Sequence, residues 1–289
     1  MIPGPFEYHQ PGTVGEAVAL LGQYGDAGQV IAGGHSLIPM MKLRLAVPEH
    51  VIDLRRVDGL TGIKEEGGAL VIGAMTTQHE LIGSSLLAEK CPILRETAEV
   101  IADPQVRYCG TLGGNVANGD PGNDMPAVMQ CLGAEYLLQG PNGARSVAAR
   151  DFYEAAYFTA RADDEILTAV RIPTPSAGHG FAYDKLKRKV GDYATAAAAV
   201  VLTLDNGACA NASIALTNVG STPLYAEAAG QALVGTPCDS AAVGEAARLA
   251  REITEPAADM RGPVDYRTHV AGVMVGRAVA RALGRASGN

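Results

Sequence analysis

Apolar positions in this chain switch between a helical and an alternating rhythm, and the switches mark its elements. Thr13 with Glu16 three residues on forms a capping box ahead of Ala17, Val18, Leu20 and Leu21, and Gly25 closes the run, so an amphipathic helix opens the chain. Gln29–Ile31 then reads as a strand, Ala32–Ser36 as a glycine loop, Leu37 onward as a helical or irregular segment, and His50–Leu54 as a second strand: a small β-loop-α-β unit. From about Gly62 the pattern becomes that of hairpins. Gly62–Glu65 and Ala69–Ile72 flank an E-G-G turn, and Ala134–Leu138 pairs with Arg145–Ala148 across G-P-N-G. Helices are expected near Thr77 with Glu80 as capping partner, after Pro92, and from Asp124 to Gly133.

After the strand Ile166–Ile172, the proline- and glycine-rich P-T-P-S-A-G-H-G marks a boundary near Ser176. Phe181–Leu186, Thr195–Leu204 and Cys209–Thr217 read as strands, the last two joined by Asn206-Gly207, although the alanine run Ala194–Ala199 reads equally as helix. Three helical runs follow Pro223, with Pro237, Thr254, Pro256 and Pro263 as breakers and Val270, Val273, Met274, Arg277 and Ala278 at helical spacing. The expected division is 1–54, 55–176 and 177–289.

Composition narrows the function classes. The 289 residues hold 47% hydrophobic and 19% charged side chains, a balance that supports a buried core rather than disorder. A net charge of -8 with no long basic block disfavours nucleic acid and anionic membrane as partners. Five cysteines, Cys91, Cys109, Cys131, Cys209 and Cys238, never form a C-x-x-C pair, which argues against a disulfide framework, zinc site or iron-sulfur cluster in this chain. The start shows no basic n-region and no apolar h-region, so a cytoplasmic location is expected. The longest nearly apolar stretch, Ala194–Leu204, is shorter than the ~18 residues of a membrane span.

Two glycine-rich segments carry the sharpest chemistry. In A-G-G-H-S, Ala32–Ser36, adjacent glycines allow a tight turn with successive N–H groups exposed as an anion nest, although a plain strand exit reads equally well. The second, G-T-L-G-G-N, runs from Gly110 to Asn115 and is followed by V-A-N-G-D-P-G-N-D up to Asp124. Two nests, each with a hydroxyl (Ser36, Thr111) and a hydrogen-bonding side chain (His35, Asn115), suit a bridging diphosphate. Neither matches G-x-G-x-x-G or the P-loop, so a Rossmann site is disfavoured and Asp53 reads as a strand-end residue.

AGGHSLIPMMKLR, TLGGNVANGDPGNDMPA, ILTAVRIP and YDKLKRKVGDYATAAAAV resemble the FAD-carrying medium subunits of molybdenum hydroxylases, and most closely the aerobic carbon monoxide dehydrogenase branch, over essentially the whole chain. The resemblance implies an α+β fold of the vanillyl-alcohol-oxidase type: two subdomains clasping FAD and a C-terminal domain of three strands plus helices. It places the diphosphate on Ala32, Gly33, Gly34, His35 and Ser36, with Leu37 adjacent, and on Thr111, Gly113, Gly114 and Asn115. Asp124 is implied to accept from the ribityl or ribose hydroxyls while also serving as a helix N-cap. Ile101 is implied to lie against the ring system, Leu167 to offer a backbone contact, and Lys185 to bring a cation from the C-terminal domain; by residue type alone these read equally as core or solvated charge. Tyr193 is implied to cover the isoalloxazine, its alternative being a core aromatic.

By the same resemblance this is an electron-transfer subunit. Electrons would leave a molybdenum-copper site on a large subunit, cross two-iron two-sulfur clusters on a small subunit and reach FAD here before passing to a quinone, in a dimer of heterotrimers that associates peripherally with the inner face of the membrane. Medium subunits of aldehyde, nicotinate or xanthine hydroxylases form the alternative, and a free-standing FAD oxidase a third. The remaining histidines, His9, His50, His79, His179 and His269, show no metal-binding spacing, and the basic run Lys185, Lys187, Arg188 and Lys189 reads as a solvated strand face, which the resemblance implies could also neutralise the diphosphate or face the partner chain.

Overall fold

A computed structural model describes residues 2–288. The first sheet is parallel, ordered β1-β3-β2, from β1 (Glu7–His9), β2 (Gly28–Ile31) and β3 (His50–Asp53). Helix α1 (Val14–Tyr24) precedes β2, with Thr13 accepting from the Glu16 N–H and Gly25 at φ 49° ending it. The Glu16 carboxylate reaches past Thr13 to the N–H of Gly12. Helix α2 (Leu37–Leu43) makes the crossover to β3, which parallel pairing requires. β1 escaped the sequence reading because E-Y-H has no apolar alternation; its backbone pairing with β3 alone makes it a strand.

The second sheet is antiparallel, ordered β4-β5-β10-β6-β7: β4 (Ile63–Glu66), β5 (Ala69–Gly73), β6 (Glu135–Gly140), β7 (Gly143–Ala148) and, centrally, β10 (Ile166–Pro173). Both expected hairpins are present, and the Gly67 and Gly68 turn takes φ 60° and 76°. Between β5 and β6 run α3 (Gln78–Gly83), α4 (Ser85–Lys90), α5 (Pro92–Val100), α6 (Pro104–Cys109), α7 (Leu112–Ala117) and α8 (Asp124–Cys131). Thr77 and Glu80 form a reciprocal capping box at α3. A small β8 (Tyr153–Ala155) and β9 (Phe158–Thr159) ribbon precedes β10.

The third sheet is antiparallel, in the order β11 (Gly180–Leu186), β12 (Ala196–Asp205), β13 (Ala208–Thr217) and β14 (Leu224–Tyr225). The three expected strands are thus joined by a fourth of two residues at the edge, too short to leave a sequence signal. Asn206 and Gly207 both take positive φ, the conformation that an Asn-Gly hairpin favours. The alanine run is strand: Ala197 and Ala199 pack into the core shared with α5 and α8, while Ala196 and Ala198 pack into the core under the last helix. Burial on both faces overrides the helical preference of alanine. Helices α9 (Glu227–Gln231), α10 (Ser240–Glu252) and α11 (Val264–Ala286) complete the chain. Among the described residues no helix is long and apolar enough to cross a membrane.

Burial pushes the Cys91 and Cys131 thiols up to about 12, so at about pH 8 they remain protonated and unreactive. Cys131 sits inside the core, its thiol aimed at the Ser213 carbonyl. Ellman's reagent on the native chain should label Cys109, the exposed thiol, and reach Cys91 and Cys131 only after denaturation; rapid native labelling of either would contradict the burial. Gly180 faces α11 so closely that a Cβ would strike the Ala282 carbonyl oxygen. Gly180→Val should therefore cost about 3 kcal/mol in chemical denaturation, as an overpacked core position does, and an unchanged unfolding midpoint would refute the close approach.

Candidate functional site

A cleft of about 570 Å³ runs between the Ala32–Ser36 loop, the segment from Gly110 to Asp124, β10, Lys185 near the end of β11 and the later part of the β11–β12 connection, within the usual size range of cofactor pockets. Every site residue singled out above, from Ala32 through Ile101 and Asp124 to Tyr193, lines it. A comparable groove of about 610 Å³ lies along α1 and β6, but its lining carries no charged side chain. The chemistry is therefore concentrated in the first cleft.

The loop between β2 and α2 behaves as its sequence suggests. Gly34 sits at φ 76°, and the N–H groups of Gly33, Gly34, His35, Ser36 and Leu37 donate to no backbone group among the described residues, while Gly34 and Ser36 use their carbonyls to start α2. A row of free donors at a turn is an anion cradle. Gly33 is required for a different reason: a Cβ there would collide with the Cys109 carbonyl oxygen, so the loop rests directly on the end of α6.

The second glycine segment corrects the expectation of a matching nest. Residues from Leu112 to Ala117 form α7, with Thr111 as N-cap accepting from the Gly114 N–H at 2.9 Å. The N–H groups of Leu112, Gly113 and Asn115 bond to the carbonyls of Thr76, Ala74 and Thr111. These donors are spent inside the protein. Gly113 is small because a Cβ would meet Ala74 at 2.6 Å, and Asn115 directs its side-chain oxygen to the Met125 N–H. Gly113 thus brings α7 against the residue after β5, and Gly114 faces Ala32 of the first loop across the cleft.

Asp124 is the first residue of α8, and the N-cap is Asn123, so the expected capping role is not the one it fills. Its carboxylate accepts from the Tyr183 hydroxyl at 2.5 Å and from the Lys185 ammonium at 2.7 Å. Side-chain exposure of Lys185 and Asp124 is 3% and 5%, so this is a buried ion pair on the cleft wall. Lys185 is consequently not part of a solvated basic face. Burial and the Asp124 carboxylate hold the Tyr183 phenol well above its ordinary pKa. Tyr183 was missed as a site residue, although Tyr183 and Lys185, two apart on β11, share one face by the period of a strand.

Ile101 and Leu167 are buried apolar wall. Tyr193 is half-exposed at 42%, packs against Gly122 and lies under the Arg261 guanidinium at 5.7 Å. It is thus an aromatic at the cleft margin rather than a core side chain, and burial with the nearby Asp120 raises its phenol pKa. Sequence reasoning also missed Gln78, whose buried Oε1 has no partner while its Nε2 donates to the Thr111 carbonyl at 3.3 Å. Two other lining residues, Ala102 and Tyr157, hold left-handed backbone at φ 45° and 66°, which no sequence pattern announces.

Comparison with known proteins agrees with this architecture. Residues 4–175 match the FAD binding domain in molybdopterin dehydrogenase, and residues 181–282 match the CO dehydrogenase flavoprotein C-terminal domain. The chain is 65% identical over 286 residues to a carbon monoxide dehydrogenase medium chain of Afipia carboxidovorans, covering 99% of each, and 50% identical over 285 residues to that of Hydrogenophaga pseudoflava, again covering 99% of each. A crystal structure of the cyanide-inactivated Cu,Mo-CO dehydrogenase contains a chain that superposes with a TM-score of 0.98 at 64% identity, covering 99% of this chain and 100% of that one. Fold, cleft and full-length similarity converge: the chain belongs to the FAD-binding subunit family of the molybdopterin dehydrogenases, with the CO dehydrogenase flavoprotein domain at its C-terminus.

Proposed function

We propose that this chain is the FAD-carrying medium chain of an aerobic carbon monoxide dehydrogenase and passes electrons from iron-sulfur clusters to a quinone. The observation that carries the cofactor half is the row of free donors from Gly33 to Leu37 facing the cleft, which suits the diphosphate of FAD. The residues fit the group in a second respect: the orphaned Oε1 of Gln78 is an acceptor in want of a ligand donor. When bound, FAD supplies the redox chemistry that links one-electron clusters to a two-electron acceptor. The chain's part is to hold and surround it. The Ala32–Ser36 loop with Leu37 would hold the diphosphate, with Thr111, Gly113, Gly114 and Asn115 lining the opposite wall, while Ile101 and Leu167 would shield the ring system from water. Tyr193, half-exposed at the cleft margin, would cover the ring, and Lys185 and Asp124 would set the charge of the inner wall.

A large subunit with the molybdenum-copper site and a small subunit with two-iron two-sulfur clusters are the proposed partners, arranged as a dimer of heterotrimers at the inner face of the membrane. Exposed Ile38, Leu43, Leu45 and Val47 beside the diphosphate loop support a partner surface there. The carbon monoxide half of the proposal rests on 65% identity along the full length to a medium chain bearing that activity in its name. A medium subunit of an aldehyde, nicotinate or xanthine hydroxylase would need the same cleft, since its substrate is handled elsewhere in the complex.

Gly33→Val should lose at least about tenfold in FAD affinity, because moving the loop off the Cys109 carbonyl misaligns several charge-assisted hydrogen bonds, each worth about 1.5–3 kcal/mol. Flavin titration with circular dichroism as a folding control measures this, and wild-type affinity would remove the loop from the binding site. For the whole assignment, the chain is assayed alone and after reconstitution with the large and small subunits. CO-dependent dye reduction is expected only in the complex; turnover of an aldehyde or purine in place of CO would select the second reading, and CO turnover by the lone chain would discard the subunit role.

A further inference from the structure

The three-stranded parallel sheet carries a cluster that the cofactor cleft does not use. Glu7 and His50 are register partners on β1 and β3, and His9, two residues on, shares the face of Glu7. His9 Nε2 lies 3.1 Å from His50 Nδ1, and Glu7 Oε2 lies 3.4 Å from the same nitrogen. All three ligand atoms are within 4.8 Å of one another. A tetrahedral zinc ion with bonds of about 2.0–2.1 Å separates adjacent ligand atoms by about 3.3 Å, which the two shorter distances bracket. An imidazole-imidazole hydrogen bond accounts for one of these approaches, whereas a cation accounts for both nitrogen lone pairs and the carboxylate together.

The two imidazoles are also held in place. His50 lies on the central strand, and its ring is stacked on Tyr24 at 3.7 Å between centroids; His9 packs against the same tyrosine at 5.0 Å. Gly28, register partner of His50 on the other side, makes this possible, because its would-be Cβ already stands 3.0 Å from the Tyr24 Cβ. The two imidazoles, on paired strands and backed by an aromatic ring, need little reordering to bind an ion, and the Glu7 carboxylate, 73% exposed, closes the site from the solvent side.

We propose that Glu7, His9 and His50 form a binding site for a divalent transition ion of the zinc class, with a fourth position left to water. Two neutral imidazoles and a carboxylate are the donor set such ions prefer over magnesium or calcium. The ion would tie β1 to β3, in the sheet whose β2 leads into the Gly33 loop.

The test uses the untagged full chain, stripped with a chelator and titrated with zinc chloride, then with cobalt chloride as a spectroscopic probe. One zinc per chain is expected, with a rise in Tm of about 5 °C at roughly 100-fold excess over Kd. Cobalt should give the intense visible absorption of a four-coordinate site. His9→Gln and His50→Gln should each weaken zinc binding by more than about 100-fold, since even outer-sphere partners are worth about 10–100-fold. His9 lies on an edge strand, so its variant remains informative if the central-strand change perturbs folding, which circular dichroism reports. Absence of saturable zinc binding by the wild type, or an unchanged titration in folded His9→Gln, overturns the proposal.

Discussion

The buried ion pair between Asp124 and Lys185 is the constraint on which the cleft depends. Two charges out of water are unfavourable unless each is paired and further hydrogen-bonded, and here the second carboxylate oxygen takes the Tyr183 hydroxyl. Removing one partner of such a pair typically costs about 3–5 kcal/mol because the other charge is stranded. The pair joins the start of α8, in the second unit of sheet and helices, to β11 of the third sheet, and so sets where the C-terminal sheet sits over the cleft. Lys185 and Lys187 both reach the Val100 carbonyl at 3.4 and 3.3 Å, which anchors the end of α5 just before Ile101 and the left-handed Ala102. Burial and the neighbouring Lys185 lower the pKa of Lys187.

The glycines do two different jobs along that cleft. Gly34 supplies a left-handed turn, which frees a row of donors for a ligand; Gly33 and Gly113 supply absent volume, which lets one backbone rest on another. The first serves the proposed cofactor binding and the second the alignment of one backbone on another. Because the donors sit on a short loop pinned between β2 and α6, their positions are established before any ligand arrives, and less ordering is needed on binding. Electron transfer asks for this kind of cradle: the protein positions and shields the redox group, and moves little itself.

The C-terminal sheet illustrates how packing decides a local ambiguity. An alanine-rich strand offers little side-chain volume, which brings α8 close on one face and α11 close on the other. Gly180 extends the same principle to β11, where any side chain would strike the Ala282 carbonyl. Arg267, buried on α11, donates to the carbonyls of Thr195 and Asn218, at the start of β12 and just past the end of β13, and to that of Ala257 in the loop before α11, and thereby fastens the helix to the ends of the two inner strands. Tyr183, a large side chain that does enter, reaches Asp124 together with Lys185.

The Thr77–Glu80 capping box, the Thr13 N-cap, the hairpin turns and the Gly33-Gly34 loop were legible in the sequence because each is a contact between residues only a few positions apart, written in residue types that physics restricts; at α1 the expected box is only half formed, since Glu16 turns to the Gly12 N–H. Family resemblance added the cleft-lining positions, including Ile101, Leu167, Lys185 and Tyr193, whose residue types alone pointed equally to core or surface. Contacts across long separations were illegible: the Asp124–Lys185 pair spans 61 residues, the Glu7–His50 pairing depends on a strand with no apolar pattern, and the unpartnered Gln78 oxygen shows only once its surroundings are built. The G-T-L-G-G-N segment marks the boundary between the two kinds of knowledge. Its glycines announced close backbone approach, which local chemistry determines, but whether they approach a ligand or Ala74 depended on the register in which β5 and α7 meet, and only the tertiary structure decides that.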